Sequence, residues 1–269
     1  MEDDLAILRT AAGSLDGRAA LIMLDGEGTE LFTHEADTVV PAASVIKLPL
    51  IMTLFADAAE GRLSLDERCA VGARVDGSGV LRHLAGVADL TLRDLATLAI
   101  VVSDNTATNR LIERIGPDRV GERLREWGCT GTRLSRAMFD TEATRRGLDN
   151  HIVPREIAGL LLRLLRGDCG GRAASDAVLA VLERTQDEAL LRRYLPAGAR
   201  VAHKTGTLDA VRNDAGILFA TRPIIAVGCV REAADIRNAR SFLGLLGWIA
   251  YRSAGGAVEG LPPEWPATA

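Results

Sequence analysis

The sequence has few aromatic residues and no excess of positive charge. Phe, Trp and Tyr together make up 4% of the 269 residues, and the formal net charge at pH 7 is −4. A protein that binds nucleic acid needs a basic surface for the phosphates, and many such proteins also stack the bases on aromatic side chains. The composition therefore argues against a nucleic-acid partner.

Long hydrophobic runs and a secretion signal are also lacking. No apolar stretch approaches the roughly 20 residues that cross a bilayer, so no membrane span is expected. The first five residues, from Met1 to Leu5, are acidic and apolar, whereas a secretory signal peptide begins with a basic region. We expect a cytoplasmic protein, or a periplasmic or extracellular one if a signal peptide has been removed.

Cysteines are sparse and widely separated. They form no C-x-x-C pair or other metal-ligand spacing, and they lie at Cys69, Cys129, Cys169 and Cys229. We therefore predict no metal site, and nothing else in the sequence calls for a cofactor. Small buried hydrophobic side chains are the simplest interpretation of these residues, and their even number leaves a disulfide open.

Hydrophobic periodicity predicts strands near both ends of the chain and helices in the middle. After a short N-terminal helix, strands are predicted at residues 19–25, 30–33, 199–207, 214–221 and 224–230. Helices are predicted at residues 44–59, twice within 91–115, and at 119–127, 154–166, 175–184 and 236–253. Strands from distant segments with helices between them indicate an α+β fold with one antiparallel sheet.

Ser44 and Lys47 stand three residues apart at the predicted start of a helix. Side chains at i and i+3 share a helix face, and a serine hydroxyl needs a nearby base to act as a nucleophile. A lysine can be that base when burial and another cation lower its pKa. The free backbone N–H of Ser44 at the helix start suits an oxyanion. Taken alone, S-x-x-K is a weak signal, because chance matches are common and a capping serine with a snorkelling lysine explains most of them.

Two tripeptides further along the chain complete a known set of motifs. Ser103-Asp104-Asn105 and Lys204-Thr205-Gly206 follow Ser44 and Lys47 in that order. S-x-x-K, S-D-N and K-T-G occur together in class A β-lactamases and penicillin-binding proteins. The residues around S-D-N, from 90 to 109, extend the similarity. The chain thus resembles the class A β-lactamase and penicillin-binding serine hydrolase superfamily over about residues 19–253.

This resemblance implies a fold and a domain organisation. The fold would be β-lactamase/transpeptidase-like, with an antiparallel five-stranded sheet flanked by helices, an all-helical lobe, and the active site between them. Residues 1–269 would form one β-lactamase-like domain, with an α/β lobe at about 1–40 and 191–269 and a helical lobe at about 41–190. The protein would act as a monomer on a small-molecule or peptide substrate.

The resemblance also implies roles for the motif residues. Ser44 would be the acylated nucleophile, and Lys47 would take its proton directly or through water. Ser103 would pass a proton to the leaving nitrogen, and Asn105 would hold the side-chain amide of the substrate. Lys204 would lower the pKa of Lys47 and attract a substrate carboxylate.

The residues that follow Lys204 would bind the substrate along a strand. Thr205 and Thr207 would hold its carboxylate through their hydroxyls, and the backbone N–H groups of Ser44 and Thr207 would form the oxyanion hole. Gly206 would keep the strand edge clear of side chains. Arg212 falls where many class A enzymes place a guanidinium that faces the carboxylate, and a solvated strand-edge arginine is the alternative interpretation.

One segment departs from the pattern of the class A β-lactamases. Those enzymes hydrolyse the acyl-enzyme with water activated by a glutamate in a loop of the form R-x-E-x-x-x-N. The corresponding run here starts at Arg136 and has Met138 in place of that glutamate. Asp140 would replace it only if its shorter side chain reached the water, and Glu142 only if the loop followed another path. Fast deacylation is therefore not expected.

The sequence leaves several functions open. The first is hydrolysis of a β-lactam or a D-alanyl amide through an acyl-enzyme, as in a β-lactamase. The main alternative is a D-alanyl-D-alanine peptidase or penicillin-binding protein that deacylates slowly. A sensing module that acylates once, an esterase, amidase or acyltransferase acting on a peptide or ester, and an inactive scaffold are further possibilities. Nitrocefin turnover separates the first two, because a slow deacylator gives only a single burst.

Overall fold

The computed structural model describes residues 2–262 and contains two compact units. Unit 1 comprises Met1–Val45, Val153–Leu162 and Asp187–Ala269, and unit 2 comprises Ile46–Ile152 and Arg163–Gln186. The chain passes from unit 1 into unit 2 at Ile46, returns to unit 1 for Val153–Leu162, enters unit 2 a second time for Arg163–Gln186, and is back in unit 1 from Asp187. Each unit is therefore assembled from segments that are distant in sequence.

The helices and strands follow the predicted order. The helices are α1 (Glu2–Ser14), α2 (Lys47–Ala59), α3 (Leu92–Val101), α4 (Asn105–Ile115), α5 (Pro117–Glu126), α6 (Thr141–Arg145), α7 (Pro154–Arg166), α8 (Arg172–Leu182) and α9 (Ile236–Ser253). The strands are β1 (Arg18–Asp25), β2 (Glu30–His34), β3 (Val40–Pro41), β4 (Arg68–Ala70), β5 (Asp89–Thr91), β6 (His151–Ile152), β7 (Arg200–Leu208), β8 (Val211–Phe219) and β9 (Pro223–Arg231). Short 3₁₀ helices occur at Ala43–Ile46 and Leu81–His83.

Unit 1 is built on a five-stranded antiparallel sheet. The strands lie in the order β2-β1-β9-β8-β7, so the hairpin from the start of the chain joins three strands from its end. Helices α1 and α9 pack on this sheet through a core that includes Leu8, Leu21, Phe242 and Leu246. Burying each such side chain contributes about 1.5–3 kcal/mol. The pairing of β1 with β9 therefore joins the N-terminal hairpin to the three strands β7–β9.

Unit 2 is mainly helical and is centred on α2. Every residue of α2 from Lys47 to Asp57 is buried, and α2 contacts α3, α4, α5 and α8. The carboxylate of Asp57 accepts hydrogen bonds from Arg119 and Arg123 of α5 at 2.7 and 2.6 Å. These ion pairs hold the C-terminal part of α2 against α5.

The predicted α+β class and the antiparallel five-stranded sheet are confirmed. The bounds predicted for α7 and α9 are those observed, and the predicted helix at 44–59 begins with a 3₁₀ turn at Ala43–Ile46. The two-residue and three-residue strands and α6 were not predicted, because segments this short carry no hydrophobic period. No helix within residues 2–262 is long and apolar enough to cross a membrane.

Candidate active site

In unit 2, Lys47 lies beside the S-D-N motif. Its side chain is completely buried at the start of α2. The Nζ group donates hydrogen bonds to the Ser103 carbonyl at 2.7 Å, to Ser103 Oγ at 3.1 Å and to Asn105 Oδ1 at 2.8 Å. A surface lysine would keep its ammonium group in water. The structure therefore joins the lysine of S-x-x-K with two residues of S-D-N in one buried network.

Asp104 shapes the turn that carries Ser103 and Asn105. Its carboxylate accepts from Ala107 N at 2.9 Å and so caps α4, and it also accepts from Val80 N at 2.7 Å and Leu81 N at 2.8 Å. Ser103 adopts a left-handed backbone conformation with φ of 54°, which is costly for a residue other than glycine. Sequence reasoning missed this function of Asp104, although an aspartate just before a helix is a recognised N-cap signal.

In unit 1, Ser44 lies in the 3₁₀ turn at Ala43–Ile46 and is partly exposed. The preceding Ala43 is strained, with φ of 46°. Strand β7 approaches this turn at Gly206, where an added Cβ would lie 3.0 Å from Ser44 N and 3.1 Å from the Ala42 carbonyl. Glycine is thus needed here because the backbone before the serine occupies the space, a reason that the sequence did not indicate.

Lys204 is also completely buried, on strand β7 of unit 1. Burial lowers the pKa of Lys204 to about 8, against the opposite effect of the carboxylates of Asp214 and Asp187. Its Nζ donates to the Thr205 carbonyl at 2.8 Å. Thr205 is buried next to it, whereas Thr207 is exposed at the end of the strand. Lys204 therefore changes protonation close to neutral pH.

Two residues of strand β8 form hydrogen bonds to the segments next to Ser44 and Lys204. Sequence reasoning missed both. Asn213 Nδ2 donates to the Pro41 carbonyl at 2.8 Å and to the Ala42 carbonyl at 3.2 Å, which holds the segment before Ser44. Asp214 lies 3.0 Å from His203 Nδ1 and accepts from the backbone of Leu191 at 3.0 Å. No motif marks either residue, because their partners are remote in sequence.

Arg212 is buried and bonds to its own hairpin. Its Nη1 donates to the Leu208 carbonyl at 2.5 Å and the Val211 carbonyl at 2.7 Å. Burial lowers the pKa of this guanidinium, and the like charge of Arg240 lowers it further. The interpretation of Arg212 as a solvated strand-edge residue does not fit, since only 7% of it is exposed.

The loop that departs from the class A pattern is held by two asparagines. Asn109 Oδ1 accepts from Met138 N at 2.7 Å, and Asn109 Nδ2 donates to the Met138 carbonyl at 3.0 Å. Asn150 Oδ1 accepts from the backbone of Arg136 at 3.1 Å. The Met138 side chain itself is buried. The position that carries a glutamate in class A β-lactamases therefore presents a thioether on a well-anchored backbone.

The two carboxylates considered as replacements lie just beyond Met138. Asp140 is the N-cap of α6, where its Oδ1 accepts from Ala143 N at 2.9 Å. Glu142 is exposed in the first turn of α6. The carboxylate of Asp140 thus already has a structural hydrogen bond.

All four cysteines are free thiols. Cys129, Cys169 and Cys229 are buried, and Cys69 is half-buried. Within residues 2–262, no group of three His, Cys, Asp or Glu side chains is arranged to hold a metal ion. Because all four cysteines are free, the disulfide that their even number left open is not formed.

Known proteins are similar to this chain in sequence and in fold. The β-lactamase enzyme family model matches residues 6–254. β-Lactamase L2 of Stenotrophomonas maltophilia is 30% identical over 223 residues, which is 80% of this chain and 72% of that protein. A β-lactamase from Sphaerobacter thermophilus superposes with a TM-score of 0.87 at 29% identity, covering 97% of this chain and 100% of that chain.

A penicillin-binding protein is also among the similar structures. PBP-A has a TM-score of 0.83 at 27% identity, covering 94% of this chain and 96% of that chain. The family model extends over more than nine-tenths of the sequence and includes all three motifs. The chain therefore belongs to the β-lactamase enzyme family.

Proposed function

We propose that the protein is a serine hydrolase that forms a covalent acyl-enzyme on Ser44 with a β-lactam or a D-alanyl amide. The observation that carries the proposal is the buried Lys47, whose Nζ donates to Ser103 Oγ at 3.1 Å and to Asn105 Oδ1 at 2.8 Å. In a chance match to S-x-x-K, the lysine would not be expected to lie buried and bonded to the residues of a second motif. The three motifs fit this chemistry as a set.

In the proposed reaction, the hydroxyl of Ser44 attacks the carbonyl carbon of the substrate. Lys47 takes the hydroxyl proton directly or through water, and Ser103 passes a proton to the leaving nitrogen. The carbon–nitrogen bond breaks, and the acyl group remains on Ser44. The backbone N–H groups of Ser44 and Thr207 stabilise the oxyanion of the intermediate.

The remaining motif residues bind the substrate in this proposal. Lys204 supplies positive potential for its carboxylate, and the Thr205 and Thr207 hydroxyls donate hydrogen bonds to it. Arg212 adds a guanidinium near the same strand, and Asn105 holds the side-chain amide. Residues 1–269 act as one β-lactamase-like domain whose partner is a small-molecule or peptide substrate.

A second candidate is a D-alanyl-D-alanine peptidase or penicillin-binding protein with slow deacylation. It is favoured by Met138, because a thioether cannot accept a proton from the hydrolytic water. Asp140 caps α6 and Glu142 lies in an exposed turn, so either would need rearrangement to activate water. The similarity to PBP-A is consistent with this candidate.

Intact-protein mass spectrometry with penicillin G tests both candidates. We expect one adduct per chain on the wild type and none on Ser44→Ala. Ser14→Ala, which replaces an exposed serine of α1, is the matched control and should label normally. A long-lived adduct supports the slow deacylator, and many nitrocefin turnovers with little adduct support the β-lactamase. Absence of both adduct and turnover, or an adduct on Ser44→Ala, contradicts the proposal, and hydrolysis of small esters alone would favour an esterase.

A further inference from the structure

Asn213 is a buried polar residue that bonds to the backbone just before Ser44. Its side chain extends from strand β8 and is only 1% exposed. Its Nδ2 donates to the Pro41 carbonyl at 2.8 Å and to the Ala42 carbonyl at 3.2 Å. Both partners are acceptors, so the nitrogen of the amide must be the atom that faces them. Asn213 therefore donates two hydrogen bonds to one short stretch of backbone.

The oxygen of the same amide has no such partner. Within residues 2–262, no donor forms a hydrogen bond with Asn213 Oδ1, although this atom is buried. Burying an acceptor without a hydrogen bond destabilises the folded state, and an apolar side chain would avoid this cost. The benefit of an asparagine at this position must therefore come from the two hydrogen bonds of Nδ2.

Those two hydrogen bonds end at the base of a strained turn. The Ala42 carbonyl also accepts from Val45 N at 3.1 Å, which closes a turn with Ala43 and Ser44 in its middle. Ala43 has φ of 46°, a left-handed conformation that is unfavourable for a residue with a Cβ. The strain thus lies directly before the nucleophile of the proposed reaction. A change of conformation at Ala43 would move Ser44.

The sheet contacts this turn through two paired residues. Gly206 of β7 pairs with Asn213 of β8, and an added Cβ on Gly206 would lie 3.0 Å from Ala43 Cβ and from Ser44 N. Close contact at Gly206 blocks movement of the turn toward the sheet. Only an attractive interaction opposes movement in the other direction, and the hydrogen bonds of Asn213 provide one.

We propose that Asn213 is a positioning residue, whose two hydrogen bonds hold the turn at residues 42–45 in the strained conformation that places Ser44 for attack. The inference rests on the proposed acylation of Ser44 and adds to it a residue outside the three motifs. Asn213 acts through the backbone of the turn and does not bind the substrate. That backbone sets both the Ser44 hydroxyl and the Ser44 N–H, so attack and oxyanion stabilisation depend on it together.

Asn213→Ala tests the proposal, because it removes the amide and introduces no atom that could push the turn. Mass spectra of the full-length protein at several penicillin G concentrations give the acylation rate constant at saturation and the half-saturating concentration. We expect the rate constant to fall about ten- to a hundredfold. The half-saturating concentration should stay nearly the same, because the lost interaction is not one with the substrate.

Ser175→Ala is the matched control for a loss of stability. Ser175 is buried on α8 in unit 2, and its Oγ accepts from Cys169 N at 3.1 Å and donates to the Cys169 carbonyl at 3.5 Å. This variant should lower the urea midpoint and leave acylation unchanged. The midpoint of Asn213→Ala should fall no further, because that substitution also removes an unpaired oxygen.

Ala43→Gly tests the part played by strain. Glycine adopts a positive φ freely, so the turn then needs less support from Asn213. In the Ala43→Gly background, the loss of rate caused by Asn213→Ala should therefore be smaller than in the wild type. An equal loss in both backgrounds contradicts the proposed hold on a strained turn.

The remaining outcomes separate this inference from the proposed function. Asn213→Ser is the second replacement in case the alanine variant does not fold, because its hydroxyl ends one bond short of Nδ2. An unchanged rate constant at saturation in the folded variant, with adduct still forming on Ser44, overturns this inference alone. Failure of the wild type to form any adduct overturns the proposed function and this inference together.

Discussion

At the scale of the residue, the burial of Lys204 predicts how the acylation rate depends on pH. Burial lowers its pKa to about 8, and the carboxylates of Asp214 and Asp187 offset part of this decrease. In the proposed function the ammonium form attracts the substrate carboxylate. We therefore expect the acylation rate with penicillin G to fall as the pH rises through about 8. Asp214→Asn removes a negative charge that favours the ammonium form, so the fall should begin at lower pH. A rate that is constant up to about pH 10 would contradict this assignment.

The stability of the protein should change in the opposite direction over the same range. The folded-state pKa of Lys204 lies below the ordinary value of 10.5, so the folded protein holds fewer protons than the unfolded chain between these two values. The contribution of Lys204 to the free energy of unfolding therefore rises with pH in that window. Urea unfolding of the wild type and Lys204→Met at pH 8 and 10 isolates this contribution as the difference between them. If unfolding caused the loss of activity at high pH, the unfolding free energy would fall over this range instead.

At the scale of the element, the contact of β7 with the Ser44 turn is the critical packing. Gly206→Ala places a methyl group 3.0 Å from Ser44 N, so either the strand or the turn must move. We expect the unfolding free energy to drop by about 1–3 kcal/mol. The turn has to shift by a few tenths of an ångström, so acylation should slow, by less than the roughly hundredfold loss that a 1 Å misplacement causes. Denaturant titration and the rate of adduct formation measure the two effects.

A glycine in the part of α7 that belongs to unit 1 provides the control for this prediction. Gly159 lies in α7, and apart from its own stretch of helix no atom lies within 4 Å of the position that a Cβ would take. Gly159→Ala should leave acylation unchanged and raise stability by up to about 1 kcal/mol, because alanine favours the helix. Equal acylation rates in Gly206→Ala and the wild type would show that the turn has room to relax.

At the scale of the whole molecule, the thiols report on the fold of both units. Burial raises the pKa of the Cys69 and Cys229 thiols. It raises the pKa of Cys169 to about 12. A buried thiol with a raised pKa reacts slowly. In the native protein, we expect Ellman's reagent to react first with Cys69, which is half-buried.

The same reagent counts the thiols of the unfolded chain. All four should react in denaturant without prior reduction, and a reducing agent should leave the melting temperature unchanged, because the four cysteines are free. Fewer than four reactive thiols in the unreduced, denatured protein would reveal a disulfide and contradict the structure. Cys69→Ser, which removes the half-buried thiol, should abolish the fast reaction of the native protein.

The sequence predicted the long elements because their hydrophobic periods are strong. The helix at Pro154–Arg166 and the helix at Ile236–Ser253 have the predicted bounds. Short elements such as α6 were not predictable, since five residues contain little more than one helical turn. The turn at Ala43–Ile46 was predicted as α-helix, because a 3₁₀ turn and an α-helix have nearly the same hydrophobic pattern over four residues.

The order of S-x-x-K, S-D-N and K-T-G along the chain was enough to indicate the family and to single out the candidate residues. These motifs are local, so the sequence by itself determined them. Only the tertiary structure showed that Lys47 Nζ bonds to Ser103 and Asn105 and that Gly206 makes room for the Ser44 turn. Such contacts depend on distances of a few ångströms between residues far apart in the chain. Packing of the whole fold sets those distances, and no short stretch of sequence encodes them.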